Sequence, residues 1–507
     1  MEHLPNSLYD PNLSDGLTLS GHATRSSLFL FIAKGIRYSF VFIVQLILMN
    51  LLMPSDFGLI RFVTIVIGSI DLVNELGLSY ALVQKKSLLD AELSSAFSLN
   101  ALISGALYSL AFFIAPLCAT FFGNDQIAIL IRVGAFASFF GSLSVVHRSL
   151  LQRRLHYGRL AIIEVASALA GSGGALLLAI GGYGVWSLLA SMFIFQIVSS
   201  CALMVTTSWP RGNYLNLASA KALFFFGGAV VIQRVINYGV QNFDSLIVGK
   251  SFGEESLGIY SIAVMLITMP QLAIGIVFDS VLLSAFSRIQ DDNQRLAAAF
   301  LKANAFTSIV SVPFFILIFT FSKEMMRAIS FLNHSDAWLP AALPLKIFSL
   351  LGLLFVFSSF TGTLWLAKGK VRLRIYWETV GLATIVIAVL AGRPFGINGI
   401  CSAIVIGGVF LFPLHVMITR RVIGLQPLIF IQVLLPSIIC GMGMLAVTMF
   451  VSKLISGDSF TRDVWTLLAG TVGGLAVYSL LIVLFFKDRI KSLFEIVLLL
   501  RGFRVSA

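Results

Sequence analysis

About fourteen apolar runs of roughly 20 residues, joined by short polar links, constrain this chain more than any other feature. The first centres near Val41 and the last near Gly474. A run of that length crosses the hydrocarbon of a bilayer once as a helix, because only a helix satisfies its own backbone groups where water is absent. The fold class is therefore an all-α polytopic membrane protein. Composition agrees: 58% of residues are hydrophobic, 11% are charged, and the mean hydropathy is +0.96. A soluble domain carries about a quarter charged residues. The internal links stay under about 20 residues, too short to hold a domain of their own.

The net charge of +12 resides in those links. Alternate loops carry Lys85 and Lys86, then Arg148, Arg153, Arg154 and Arg159, and later Lys368, Lys370, Arg372 and Arg374. With Arg25 and the C-terminal cations, about 23 basic residues fall on that side against about 6 on the other. The positive-inside rule makes that side cytoplasmic and takes both termini with it. Orientation thus accounts for the charge, and no nucleic-acid partner is expected.

Cys118, Cys201, Cys401 and Cys440 are far apart within or beside apolar runs, which offers nothing to a disulfide, a zinc ion or a redox pair. No phosphate loop, HExxH or nucleophile elbow occurs, and the six histidines are dispersed. No catalytic residue, metal or cofactor is expected, beyond a possible coupling H+ or Na+. Gly171-Ser172-Gly173-Gly174 sits inside an apolar span, where close helix packing is the natural use of small residues. Residues 1–26 read as a polar tail with no cleaved signal peptide.

An internal repeat organises the spans. Lys34-Gly35-Ile36-Arg37-Tyr38 leads through an apolar run to Pro54-Ser55-Asp56-Phe57-Gly58. About 200 residues later, Arg234-Val235-Ile236-Asn237-Tyr238 leads to Ser256-Leu257-Gly258-Ile259-Tyr260, with basic residue, Ile, Tyr and Gly at one offset. Leu151 to Glu164 answers Trp365 to Glu378, and Tyr183-Gly184-Val185-Trp186 answers Phe395-Gly396-Ile397-Asn398. Six spans per half return the chain to the same side, so the halves are expected to be parallel repeats about an axis along the membrane normal. The expected organisation is a polar cytoplasmic tail (1–26), an N-lobe (27–207), a C-lobe (220–420), two further helices (428–486) and a basic amphipathic helix on the cytoplasmic surface (487–507).

Charges inside spans are costly and mark function or pairing. By position, Arg37, Asp71 and Arg234 lie nearest the midplane, with Lys34 and Glu75 nearer the cytoplasm. Arg61, Arg132, Asp244 and Lys346 lie toward the outer side; Glu164, Asp279 and Glu378 lie toward the inner side. Lys34 and Arg37 share a helix face. Opposite Arg234 across the pseudo-twofold axis they would line a cationic cavity suited to a phosphate. Alternatively, Lys34 snorkels to the surface, and Arg37 and Arg234 are held by Asp71, Glu75 or Asp244. Asp71 and Glu75, four apart, either bind a coupling ion or compensate Arg37. Glu164 and Glu378, beside basic loops, are expected to form local ion pairs.

Several stretches together resemble a known family: Leu52-Met53-Pro54-Ser55-Asp56-Phe57-Gly58-Leu59, Asn74-Glu75-Leu76-Gly77-Leu78, Ser95-Ala96-Phe97-Ser98-Leu99-Asn100, Leu150-Leu151-Gln152-Arg153-Arg154-Leu155 and Asn242-Phe243-Asp244. In this order they are similar to the Wzx-type polysaccharide flippases, nearest the colanic-acid-exporter branch, of the multidrug/oligosaccharidyl-lipid/polysaccharide (MOP) exporter superfamily. Glu75 stands where Asp is more usual, and the Pro common before Ser287 is absent. The resemblance implies a V-shaped pair of six-helix lobes, alternating access, and transfer of an undecaprenyl-pyrophosphate-linked oligosaccharide across a bacterial inner membrane. Polymerase and glycosyltransferases of the same pathway would be partners, along with membrane lipids. On that footing Lys34, Arg37 and Arg234 would engage pyrophosphate or an acidic sugar, Arg61, Arg132 and Lys346 would line the outer path, and Asp71, Glu75 and Asp244 would be ion-coupling candidates. A peptidoglycan-precursor flippase and a drug or cation antiporter share the architecture. A membrane glycosyltransferase or polymerase would need a larger extramembrane loop.

Overall fold

A computed structural model describes residues 16–74, 82, 90–154, 156–207, 217–331, 336–455 and 460–486, with side chains placed except at 16–33, 73–74, 90–91, 217–233 and 270–281. Glu75, the Asp279 side chain and the basic tail 487–507 lie outside what it describes.

The described residues form helices throughout. In the first half these are α1 (Gly16–Leu51), α2 (Pro54–Asn74), α3 (Asp90–Phe122), α4 (Gln126–Leu143, continued by Val145–Arg153), α5 (Tyr157–Ile180) and α6 (Val185–Thr206). One continuous stretch, Leu217–Arg288, is broken at Gly253 into α7 and α8. Then come α9 (Asn293–Ser330), α10 (Ala342–Ser358, continued by Thr361–Ala367), α11 (Val371–Gly392) and α12 (Gly396–Ile423). The chain closes with α13 (Pro427–Ile455) and α14 (Phe460–Phe485).

Among the described residues, eleven stretches are long and apolar enough to cross a membrane. Two of them, Arg234–Met269 and Val371–Ile423, each hold two helices around a glycine break, at Gly253 and Gly396. With α2, whose Asp56, Arg61 and Asp71 dilute its hydropathy, this makes fourteen helices among the described residues. At Gly253 the backbone sits at φ 84° and ψ −178°, a region open essentially to glycine alone, and there the chain reverses. Helix α1 is described from Gly16, inside the stretch expected to be a polar tail.

The glycine run in α5 packs as its composition suggests. A Cβ on Gly171 would fall 2.6 Å from the Ser191 carbonyl oxygen of α6, and one on Gly174 would fall 2.3 Å from Ile194. Outward faces carry exposed residues such as Phe113, Leu177 and Phe410, the apolar surface that lipid covers. Helices α13 and α14 lean on α9: Tyr478 donates to the Ile309 carbonyl at 3.0 Å, and Arg327 lies 3.6 Å from Asp463.

The largest apolar core joins the two halves at the end opposite the basic loops. It combines Leu48, Phe57 and Phe62 of the first half with Leu257, Tyr260 and Trp338 of the second. The repeat offset is visible in the contact itself. A Cβ on Gly58 would lie 1.8 Å from the Glu254 carbonyl oxygen, and one on Gly258 would lie 1.7 Å from the Pro54 carbonyl oxygen. Adding 200 to Pro54 and Gly58 gives Glu254 and Gly258, so the two contacts exchange under the repeat and a pseudo-twofold axis passes between α2 and α8. Asn124 reinforces the layer by donating to Glu254 at 2.7 Å, and Lys250 reaches the Phe121 carbonyl. At the basic end the remaining described cores stay within one half each, around Leu93 and Leu160 in the first and around Phe300 in the second. The halves therefore meet at one end and part at the other.

Trp338 is fully buried in the joining layer, its Nε1 donating to the Met49 carbonyl at 2.8 Å and its ring edge-on to Phe57. Trp338→Phe keeps most of the ring but leaves that carbonyl unpaired, at an expected cost of about 1–3 kcal/mol. The midpoint of thermal unfolding in detergent reads it, and an unchanged midpoint would show that the bond contributes nothing.

Candidate functional site: a charged cavity between the lobes

The parted ends leave a cavity of about 1450 Å³. It runs from Phe57, at the joining layer, to Trp365 and Arg374 near the basic end. Its wall comes mainly from α7, α8, α10, α11 and α12; the first half contributes chiefly Lys34, Gln45, Ile60, Arg61 and Thr64. The expected cavity faced Lys34 and Arg37 with Arg234 across the axis, whereas the described lining comes mostly from the C-lobe. A smaller pocket of about 370 Å³ opens among α1, α2, α5 and α6 and shares Gln45, Ile60 and Thr64 with the larger one.

Of the expected site residues, the structure gathers Lys34, Arg61 and Asp244 on the main wall. Arg61 reaches across the lobes, its Nη2 3.3 Å from Ser245 Oγ and 3.4 Å from the Gln241 carbonyl, while its buried Nε has no protein partner. Asp244 accepts from the Tyr260 hydroxyl and from the Ser245 amide, both at 2.6 Å, and lies within electrostatic reach of Arg61. Two cations and a held carboxylate thus line one cavity between the spans.

Arg37 lines the smaller pocket instead. Its Nη1 bonds Glu164 Oε2 at 3.1 Å, and its guanidinium lies 5.3 Å from the centre of the Phe195 ring. The other oxygen of Glu164 takes Arg148 Nη1 at 3.0 Å. The local pairing expected for Glu164 is present through Arg148, and Arg37 joins from 127 residues away. Glu164 is 7% exposed and sits between two guanidinium groups, so the triad carries one net positive charge. Glu378 likewise takes its neighbour Arg374, at 3.1 Å.

Four other expected residues line neither space among the described side chains. Asp71 accepts from Ser138 of α4, inside the N-lobe. Arg234 is half-buried on α7. Arg132, expected on the outer path, lies 4.3 Å over the centre of the Phe112 ring, whose own face is exposed on the lobe's outside. Lys346 sits 4.8 Å from the Phe319 ring centre on α9. In both cases an aromatic face, rather than the cavity, receives the cation.

Sequence reasoning missed the aromatic end of the wall. Arg374, Trp377, Glu378 and Gly381 recur at three- and four-residue spacing on one face of α11, opposite Phe412 and His415 of α12. That polar spacing inside an apolar span was the available signal.

Two helical lobes related by a pseudo-twofold axis, with a cavity between them, are a fold shared with solved membrane transporters. The structure of the lipid II flippase MurJ in an inward closed conformation superimposes with a TM-score of 0.73 at 17% identity, covering 91% of this chain and 100% of that one. An inward-facing multidrug resistance MATE family transporter of the MOP superfamily gives a TM-score of 0.61 at 15% identity, covering 79% and 98%. Residues 47–342, more than half of the chain, match the family described as polysaccharide biosynthesis protein, and the chain belongs to that family. The teichuronic acid biosynthesis protein TuaB of Bacillus subtilis (strain 168) is 26% identical over 313 residues. That alignment covers 61% of this chain and 63% of TuaB, so under two thirds of that relative's length is matched. The lipopolysaccharide biosynthesis protein WzxC of Escherichia coli (strain K12) is 22% identical over 352 residues, covering 68% and 70%.

Proposed function

We propose that this protein is a flippase that carries an undecaprenyl-pyrophosphate-linked oligosaccharide from the cytoplasmic to the periplasmic leaflet of a bacterial inner membrane. The observation that carries the reading is the charged cavity at membrane depth, sealed at one end by the layer around Gly58 and Gly258 and extending toward the basic loops. Under the positive-inside rule that basic end is cytoplasmic, which makes this an inward-facing form. Family membership supplies the pathway, polysaccharide biosynthesis.

Lys34 and Arg61 are the cations that the pyrophosphate meets along the cavity, Lys as a point charge and Arg through paired N–H groups. Asp244, Asp71 and Glu75 are the candidates for the ion whose gradient drives the cycle, with Asp244 on the main wall. Rocking of the lobes about the joining layer exposes the cavity to one side and then the other.

Replacing Lys34 and Arg61 together by Gln removes both cations without removing bulk. Export should fall at least ten-fold while the protein remains inserted, since each charge-assisted bond contributes about 1.5–3 kcal/mol. The readout is lectin accessibility of the lipid-linked glycan in vesicles reconstituted with the purified protein. Full transfer by the double variant would overturn the assignment.

A further inference from the structure

Lys34 and Arg61 answer to an anionic headgroup, and the C-lobe wall of the same cavity has a different chemistry. Trp377 stands with its ring centre 5.3 Å from His415 and 6.0 Å from Trp365. His415 Nε2 lies 2.6 Å from Thr361 Oγ1, which fixes the imidazole. One turn along α11, Arg374 Nε donates to Glu378 Oε1 at 3.1 Å, a pair with no net charge. A Cβ on Gly381, the next position on that face, would meet no atom within 4 Å, so the space beside Trp377 is open.

A hydrocarbon chain would offer nothing to the Arg374–Glu378 ion pair, and a pyrophosphate would meet the Glu378 carboxylate. A sugar ring suits the set: its C–H face lies on an indole, and its hydroxyls both donate to a carboxylate and accept from N–H groups.

We infer that this C-lobe wall is a carbohydrate subsite that takes a neutral hexopyranose of the lipid-linked glycan. The inference rests on the flippase reading and adds to it a place for the sugar distinct from that for the pyrophosphate. Trp377 supplies the stacking face, Arg374 and Glu378 bond hydroxyls, and Gly381 leaves the room.

The test measures binding of two probes to the purified full chain in nanodiscs: bare undecaprenyl pyrophosphate and undecaprenyl-pyrophosphoryl-glucose, with phosphatidylglycerol as control. The wild-type protein should prefer the sugar-bearing lipid by about ten-fold. Trp377→Leu removes the stacking face. Gly381→Leu, which a helix accepts readily, fills the space. Each should cut the preference below about three-fold with bare-lipid affinity unchanged, and Trp377→Tyr should retain most of it. Equal wild-type binding of the two lipids, or a preference that survives both leucine variants, overturns the subsite alone. Binding of neither lipid above the control overturns the flippase reading and the subsite with it.

Discussion

Leucine at Gly58 or at Gly258 should hold the lobes apart at the end where they now meet. An added Cβ would fall 1.8 Å from the Glu254 carbonyl oxygen in the first case and 1.7 Å from the Pro54 carbonyl oxygen in the second. Both obstacles are helix backbone, so no rotamer change relieves the overlap and α2 and α8 must separate. Overpacking of a well-packed interior costs about 1–3 kcal/mol, and a collision with backbone belongs at the upper end of that range. Transport should drop more than ten-fold. Disulfide cross-linking reads the separation directly, with cysteines introduced at Asn124 and Glu254, whose side chains now bond at 2.7 Å. Its yield should fall at least five-fold in Gly58→Leu; an unchanged yield would mean that the helices do not depend on this approach.

Loss of Glu164 should weaken the N-lobe as a unit. Glu164→Gln leaves Arg37 and Arg148 facing one another around a neutral amide. Breaking a buried ion pair costs about 3–5 kcal/mol, and the exposure of Arg148, at 34%, lets water screen part of it, so about 2–3 kcal/mol is expected. Arg37→Met combined with Glu164→Leu removes the carboxylate with its more buried partner and leaves only Arg148, which water screens, so it should restore much of the lost stability. Thermal unfolding of the single and double variants in the same detergent separates the cases. A Glu164→Gln protein as stable as the parent would show that the triad does not support the lobe.

The spans, the family and the repeat were legible in the sequence because each has a one-dimensional signature. Apolar run length set the number of helices, and the common offset from Lys34 to Arg234 also pairs Gly58 with Gly258, which the structure brings to one contact. The inward faces were not legible. In a soluble helix the apolar stripe points to the core, but lipid is as apolar as a protein interior, so the pattern does not say which face looks in. Arg132 and Lys346 were placed on the path by depth alone, and the structure puts each against an aromatic ring instead. The partner of Arg37 was hidden for another reason: Glu164 lies 127 residues away, and only the packing of α1 on α5 brings them together.

The single residue joining α7 to α8 limits what those two helices can do. One residue spans at most about 3.5 Å, so near Gly253 the pair cannot draw apart. What remains is rotation, as in a pair of tongs held at the closed end. Over about 30 Å of helix, a turn of ten degrees shifts the free ends by about 5 Å, roughly the breadth of a sugar ring. Passage width at the far end can thus be set by small angles, with almost no displacement where the tongs are joined.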